Sequence, residues 1–197
     1  MINNIVNYYR KISDLGLTNI KNEKTFQFKA KLNNTVLLKA SEQQLIKTWV
    51  AAGGGGLTKE ARKKIEDYKT AIKKMHVLAV QDYNKTLKEL KATDSKEEKQ
   101  KILNRLADRG FQGFKGKNGV WNIETYSNMY FSSLNNDMIR LAVLESSKID
   151  KYKVSSHNTK CGVCKLYEGR ILTRKQIEEA RGNGLFHPHC LHLITEV

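Results

Sequence analysis

The chain has 197 residues, 40% hydrophobic and 28% charged, enough to bury a real core in one medium or two small domains. No apolar run approaches the roughly 18 residues of a membrane-spanning helix. The opening MINNIVNYYRK has no basic start leading into an apolar run, so we expect no secretion signal and a chain made in the cytoplasm, without membrane partners.

The net charge is +15, unevenly spread: residues 1–120 hold 25 Lys/Arg against 12 Asp/Glu, a net +13, leaving 10 against 8, a net +2, for residues 121–197. Such a partition suits a first part that faces nucleic acid or an acidic protein, so any nucleic-acid contact is expected within residues 1–120. The competing reading is a set of solvated lysine-rich helix faces, since the charges are interspersed with glutamates.

In chain order, Ile2, Ile5, Val6, Tyr9 and Ile12 predict a short helix over Ile2–Leu17. Phe26, Phe28, Ala30 and Leu32 alternate with polar residues, and Asn33-Asn34 precedes Thr35-Val36-Leu37-Leu38, a β-hairpin pattern. Ser41 with Gln44 reads as a capping box opening a helix to Ala52. Gly53–Gly56 then suggests a flexible joint closing a first segment, residues 1–56.

From Thr58 to Ala92 the apolar residues Leu57, Ala61, Ile65, Tyr68, Ile72, Met75, Ala79, Tyr83, Leu87 and Leu90 recur at steps of three or four. The pattern predicts one amphipathic helix about 50 Å long, whose stripe would pack within the chain or by self-association with another copy. Ser95 and Glu98 predict a capped helix ending at Gly110, and Lys117-Asn118-Gly119 a turn, which completes a long-helix region over residues 57–120. Asn122 then caps a helix with a face of Ile123, Tyr126, Tyr130, Leu134, Met138 and Leu141.

Beyond Ser147 the texture changes. Tyr152–Ser156 reads as a strand, Arg170–Leu172 as an extended piece, and Thr173 with Gln176 as the capping box of another helix; Leu185–Ile194, holding the chain's one proline, reads as extended. The predicted fold class is α+β: a helix-rich N-terminal part with long amphipathic helices, and a small C-terminal α/β module, residues 121–197, built round a zinc-knuckle-like site.

That site is the chemistry the sequence carries. All three cysteines and four of the five histidines lie between His157 and His192. Cys161-Gly162-Val163-Cys164 is a CxxC, followed after 22 residues by His187-x-x-Cys190-x-His192. Two ligands three residues apart on a tight turn can reach one ion, and a second pair arriving from elsewhere completes a tetrahedral zinc site. The candidate ligands to one structural zinc are Cys161, Cys164, His187 and Cys190, with His192 as the substitute; in an extended ending Cys190 and His192 share a face and His189 points away. His157 reads as a hydrogen-bonded structural histidine. Competing readings are a redox CxxC, though the strand-then-helix context of thioredoxin-type motifs is missing, a catalytic metal with an open position, or packed thiols with no metal.

The stretch N-R-L-A-D-R-G-F-Q-G-F-K-G-K-N-G-V-W from Asn104 to Trp121 is followed by N-I-E-T-Y-S-N-M, then by V-S-S-H-N-T-K-C-G-V-C-K-L-Y-E-G-R and G-L-F-H-P-H-C-L-H. In order and wording this resembles the phage minor capsid protein 2 family, relatives of the Mu F-like head proteins of tailed phages. The likeness runs from about residue 100 to the end, and its most specific piece is the last. It implies a virion protein present in few copies, at the portal or head interior, whose partners are the portal protein, other head proteins and packaged DNA, acting in head assembly or DNA delivery.

The chain departs from that pattern at Ser132-Ser133, where such proteins carry Arg-Thr. It departs again at Tyr167-Glu168-Gly169 in place of Trp-Gln-Gly, and at Leu191 in place of Arg. The missing arginine of that Arg-Thr pair weighs against an active enzyme. The alternatives are a metal-dependent nuclease, a toxin-type transferase, or a basic DNA-binding adaptor. No P-loop is present, because Gly53–Gly56 lacks the following Lys-Ser/Thr.

Overall fold

The computed structural model describes residues 34–109, 112–116 and 119–197. The predicted helix over Ile2–Leu17, the first hairpin strand around Phe26–Leu32, Gly110 and the Lys117-Asn118 turn lie outside the described residues. The fold is helix-rich with a small C-terminal three-stranded sheet. No helix among the described residues is long and apolar enough to cross a membrane.

Helix α1 runs over Asn34–Ala51, so the expected second hairpin strand at Thr35–Leu38 is helical instead. A short apolar run does not by itself distinguish strand from buried helix. Here Leu38 continues backward the spacing of Leu45 and Trp49, all buried, and that 3.6-residue register decides. Ser41 consequently caps nothing. It lies buried inside α1 and its hydroxyl accepts from the Tyr68 hydroxyl at 3.3 Å.

Gly53–Gly56 forms a fitted turn. Gly53 takes φ 91°, the Trp49 indole N–H donates to the Gly55 carbonyl at 3.0 Å, and Gly54 lies flat against the indole ring. A β-carbon on Gly54 would overlap that ring, and Trp49 is fully buried. Gly54→Ala should therefore cost about 1–3 kcal/mol, read as a lowered melting temperature; an unchanged melt would show that Trp49 moves aside freely.

Helix α2 spans Lys59–Lys91, 33 residues, within one residue of the predicted bounds at each end. The Thr58 side chain accepts from the Ala61 N–H, and Ala61, Ile65, Tyr68, Ile72, Met75 and Tyr83 are buried along the expected stripe. Helix α3, Lys96–Arg109, starts as predicted, with the Glu98 N–H donating to Ser95 Oγ at 3.3 Å. Strands β1 (Gln112–Gly116) and β2 (Gly119–Asn122) pair antiparallel, closing with Gly116 opposite Gly119. Helix α4, Ile123–Ser146, is capped by Asn122, whose Oδ1 accepts from the Thr125 N–H at 2.7 Å.

The C-terminal segment holds β3 (Tyr152–Val154), the four-residue helix α5 (Gly162–Lys165), β4 (Ile171–Leu172), α6 (Arg174–Gly182) and β5 (Ile194–Glu196). The sheet order is β4-β3-β5, both pairings antiparallel. Tyr152, Val154, Leu172 and Ile194 turn inward from it.

The described residues form two compact units, one including residues 34–40, 69–109, 112–116 and 119–128, the other of residues 41–68 and 129–197. The boundaries fall inside α1, α2 and α4, so the units interleave in sequence. In the second unit Tyr68 stacks on Tyr130 with centroids 6.0 Å apart and meets Phe131 edge-on at 5.5 Å. The C-terminal core of that unit joins Tyr152, Val154, Leu172, Ile177, Leu185, Phe186 and Ile194 with Cys164 and Cys190, and Val143 and Leu144 of α4 pack on it.

Candidate metal centre

Two turns bring the donors together. The first is α5, with Cys161 at its N-cap and Cys164 pointing into the core. After it the chain reverses at Gly169, whose φ of 73° is a glycine conformation, so that Gly169 N–H donates to the Val154 carbonyl at 3.0 Å. The knuckle is thereby pinned to the end of β3.

The second turn follows α6, which opens with the predicted Thr173/Gln176 capping box. Here the structure corrects the expected extended run over Leu185–Ile194. Gly184, at φ 98°, ends α6 with the Leu185 N–H donating to the Ala180 carbonyl, and this swings Leu185 and Phe186 into the core. His187–Cys190 then closes on itself, the Cys190 N–H donating to the His187 carbonyl at 2.9 Å. With Pro188 second and His189 third at φ 69°, this is a type II turn. Strand geometry begins only at Ile194. The turn presents His187 and Cys190 on one side and leaves His189 exposed.

The structure brings all five sequence-predicted donors close together, in two trios that share Cys164. Ligand atoms of Cys161, Cys164 and His187 lie within 4.8 Å of one another, as do those of Cys164, Cys190 and His192. Cys164 Sγ and Cys190 Sγ are 3.7 Å apart, and Cys190 Sγ is 3.2 Å from His192 Nδ1. Two thiolates on a tetrahedral zinc stand about 3.8 Å apart, and a thiolate and an imidazole nitrogen about 3.5 Å. The spacing therefore fits one ion held between them.

All three cysteines are free thiols. Backbone N–H groups at the start of α5, that of Cys164 foremost, pull the Cys161 thiol down to about 7, toward the thiolate that a metal needs. Burial, followed by the neighbouring thiols, pushes Cys164 up to about 12. Three sulfurs and two imidazoles crowded in this way form a donor set that a divalent cation could hold together.

Outside the donors sits a set of polar residues, most of which sequence reasoning did not tie to the site. Glu168 Oε1 accepts from the backbone N–H of His157 at 2.8 Å and of Thr159 at 3.2 Å, and from His192 Nε2 at 2.9 Å. These contacts, the His157 N–H first and then His192, hold its carboxyl near 2. His157, as expected, is hydrogen-bonded: its Nε2 meets Ser155 Oγ at 2.9 Å, and its ring stands edge-on to His192. From α4, Asn136 Nδ2 donates to the Cys190 carbonyl at 3.2 Å and Arg140 Nη1 to the His192 carbonyl at 2.7 Å. Arg140 is buried, ion-paired with Asp137, and lies over the Phe186 ring.

Glu168 stood in the sequence as the one acid beside the knuckle, and nothing there marked Arg140 out from the other polar residues of α4. Nothing in the spacing tied either to a histidine more than 20 residues away. Compared with known proteins, the chain matches no protein-family model, no curated protein and no solved structure.

Proposed function

We propose that this chain is a structural minor head protein of a tailed phage, present in few copies near the portal, whose C-terminal module folds round one structural zinc ion. The observation that carries the reading is the buried Cys/His cluster itself. The residues of the family-like wording, from Ser155-Ser156-His157 through the CxxC to His-Pro-His-Cys-Leu-His, converge on it in space, with Cys164, Cys190 and His192 buried.

Three thiols with imidazole suit a borderline-soft d¹⁰ ion such as zinc. A structural role is favoured because there are more donors than four-coordination needs, so no position is left for water. The nearest carboxylate, Glu168, is committed to three N–H donors and is no free general base. The test of the phage reading is mass spectrometry of purified particles. The protein should appear in mature heads at far fewer copies than the shell protein, and its absence from full and empty heads alike would leave the adaptor or enzyme readings.

The excess charge of residues 1–120 fits contact with packaged DNA. Binding should be independent of sequence and fall steeply with salt, since each phosphate contact releases a counterion. Because the two units interleave, the full chain is the proper sample. Fluorescence anisotropy on duplex DNA at 50 and at 200 mM salt should show weakening of at least tenfold (about 10³-fold or more for six contacts). Binding that is absent at low salt would reduce the charge to a solvated surface.

A further inference from the structure

Resting on the zinc reading above, a finer question is which four of the five donors hold the ion, and what holds the donors. The two imidazoles differ in how they are fixed. His187 is half-buried on the turn, and its Nδ1 donates to the carbonyl of its own neighbour Pro188 at 2.6 Å. That bond ties it to the turn it belongs to, and its link to the knuckle is a hydrogen bond with the half-buried Cys161 side chain.

His192 is buried and fixed from three separate segments. Arg140 of α4 holds its carbonyl, the next residue's N–H donates to Ser155 Oγ at 2.9 Å, and its Nε2 meets Glu168. An ionised carboxylate accepts only, so the Glu168 contact places the ring proton on Nε2. The lone pair is then on Nδ1, the atom 3.2 Å from Cys190 Sγ. A metal-ligating histidine characteristically gives its other N–H to such a carboxylate.

Glu168 is in turn not free to wander. Two backbone N–H groups of the 157–159 loop hold the same oxygen, and its own N–H donates to the Cys164 carbonyl at 3.2 Å. It links the CxxC knuckle, the loop before it and the ligand histidine.

We infer that Cys164, Cys190 and Nδ1 of His192 form the fixed inner part of the zinc site. Cys161 closes it as the third thiolate, Glu168 is the positioning residue that sets the His192 tautomer, and His187 is a rim donor left off the ion. This reverses the order of preference that sequence spacing gave to the two histidines.

The experiment uses the full-length zinc-loaded protein and needs no variant for its first arm. Long-range ¹H–¹⁵N correlation spectra report the protonation and metal ligation of each imidazole nitrogen. The expected result is His192 with a metal-bound Nδ1 and a protonated Nε2, and His187 with no metal-bound nitrogen. Zinc affinity by competition with a chromophoric chelator forms the second arm. Glu168→Ala should weaken binding about 10–100-fold and disturb the His192 nitrogen shifts, Glu168→Gln should recover part of both, and His187→Ala should stay within about threefold of wild type.

Metal on His187 with His192 unligated, or an unchanged affinity in Glu168→Ala, overturns the assignment while leaving the zinc site standing. A wild-type chain that takes up no stoichiometric zinc overturns the zinc reading, and the assignment falls with it.

Discussion

Stripping the metal with a strong chelator, or replacing Cys161 and Cys190 together by serine, should unfold the C-terminal module and leave α2 helical. Cys164 and Cys190 are members of the module's apolar core, so an ion held by them would be continuous with that core. Without a cation, the sulfurs and imidazoles of five residues would crowd one small, largely buried site with nothing bridging them. The remaining apolar side chains are few, and small modules of this kind depend on a staple; structural zinc couples on the order of 10 kcal/mol to folding.

The choice of readout follows from the helix lengths. Beyond α4 the module contributes helices of only 4 and 9 residues against 33 in α2, so if unfolding is confined to that part, far-ultraviolet circular dichroism should change little. Near-ultraviolet signals from Tyr152 and Tyr167 should collapse. Trypsin should gain access to Lys160, Lys165 and Arg170, which flank the knuckle. Metal analysis showing no stoichiometric ion, joined with an unchanged cleavage pattern in the double variant, would mean that packed thiols were mistaken for a site.

What could be read from the sequence was what local chemistry dictates. The 3.6-residue stripe of α2 placed it to within a residue, and the side-chain caps at Ser95, Asn122 and Thr173 each opened a helix where predicted. The donor set was legible because CxxC and HxxCxH spacings are themselves geometric statements.

The errors arose where two local readings competed. Thr35–Leu38 suits a strand as well as a buried helix until Leu45 and Trp49 extend the register, and the Ser41/Gln44 pattern occurs inside a helix where no terminus needs it. Leu185–Cys190 looked extended because Pro188 disfavours helix. Gly184's positive φ suits a glycine ending a helix, but those of Phe186 and His189, which shape the turn, are not signalled by residue type. The partners of His192 were beyond local reading altogether, since Glu168 and Arg140 reach it only through the tertiary fold.

Arg140 carries the largest expected effect outside the metal ligands. Its guanidinium is 4% exposed and does three things at once: Nη1 donates to the His192 carbonyl, Nη2 pairs with Asp137 at 2.5 Å, and the plane lies 4.3 Å from the centre of the Phe186 ring. Arg140→Met keeps the volume but strands the His192 carbonyl, and removes the main partner of an aspartate that otherwise has Lys64 at 3.2 Å and Arg181 at 3.7 Å. Leaving that buried carbonyl without its donor costs about 1–3 kcal/mol, and the 187–192 loop should loosen with it, so that zinc affinity should fall together with the melting temperature. Arg140→Lys should restore little, because an ammonium cannot reproduce the planar two-sided grip.

The pairing also predicts a pH signature. Burial tends to raise the Asp137 carboxyl, but Arg140, Lys64 and Arg181 outweigh it and hold the group below its ordinary 3.8. A folded-state value below the unfolded one contributes stability above about pH 4 that is lost as the pH falls through the lowered value. Asp137→Asn should therefore be less stable than wild type at pH 7 and converge on it in acid. Denaturant melts of wild type, Arg140→Met and Asp137→Asn at pH 7 and at about pH 2 decide the matter. An Arg140→Met chain within about 0.5 kcal/mol of wild type, a range ordinary for surface substitutions, would show that α4 does not brace the metal loop.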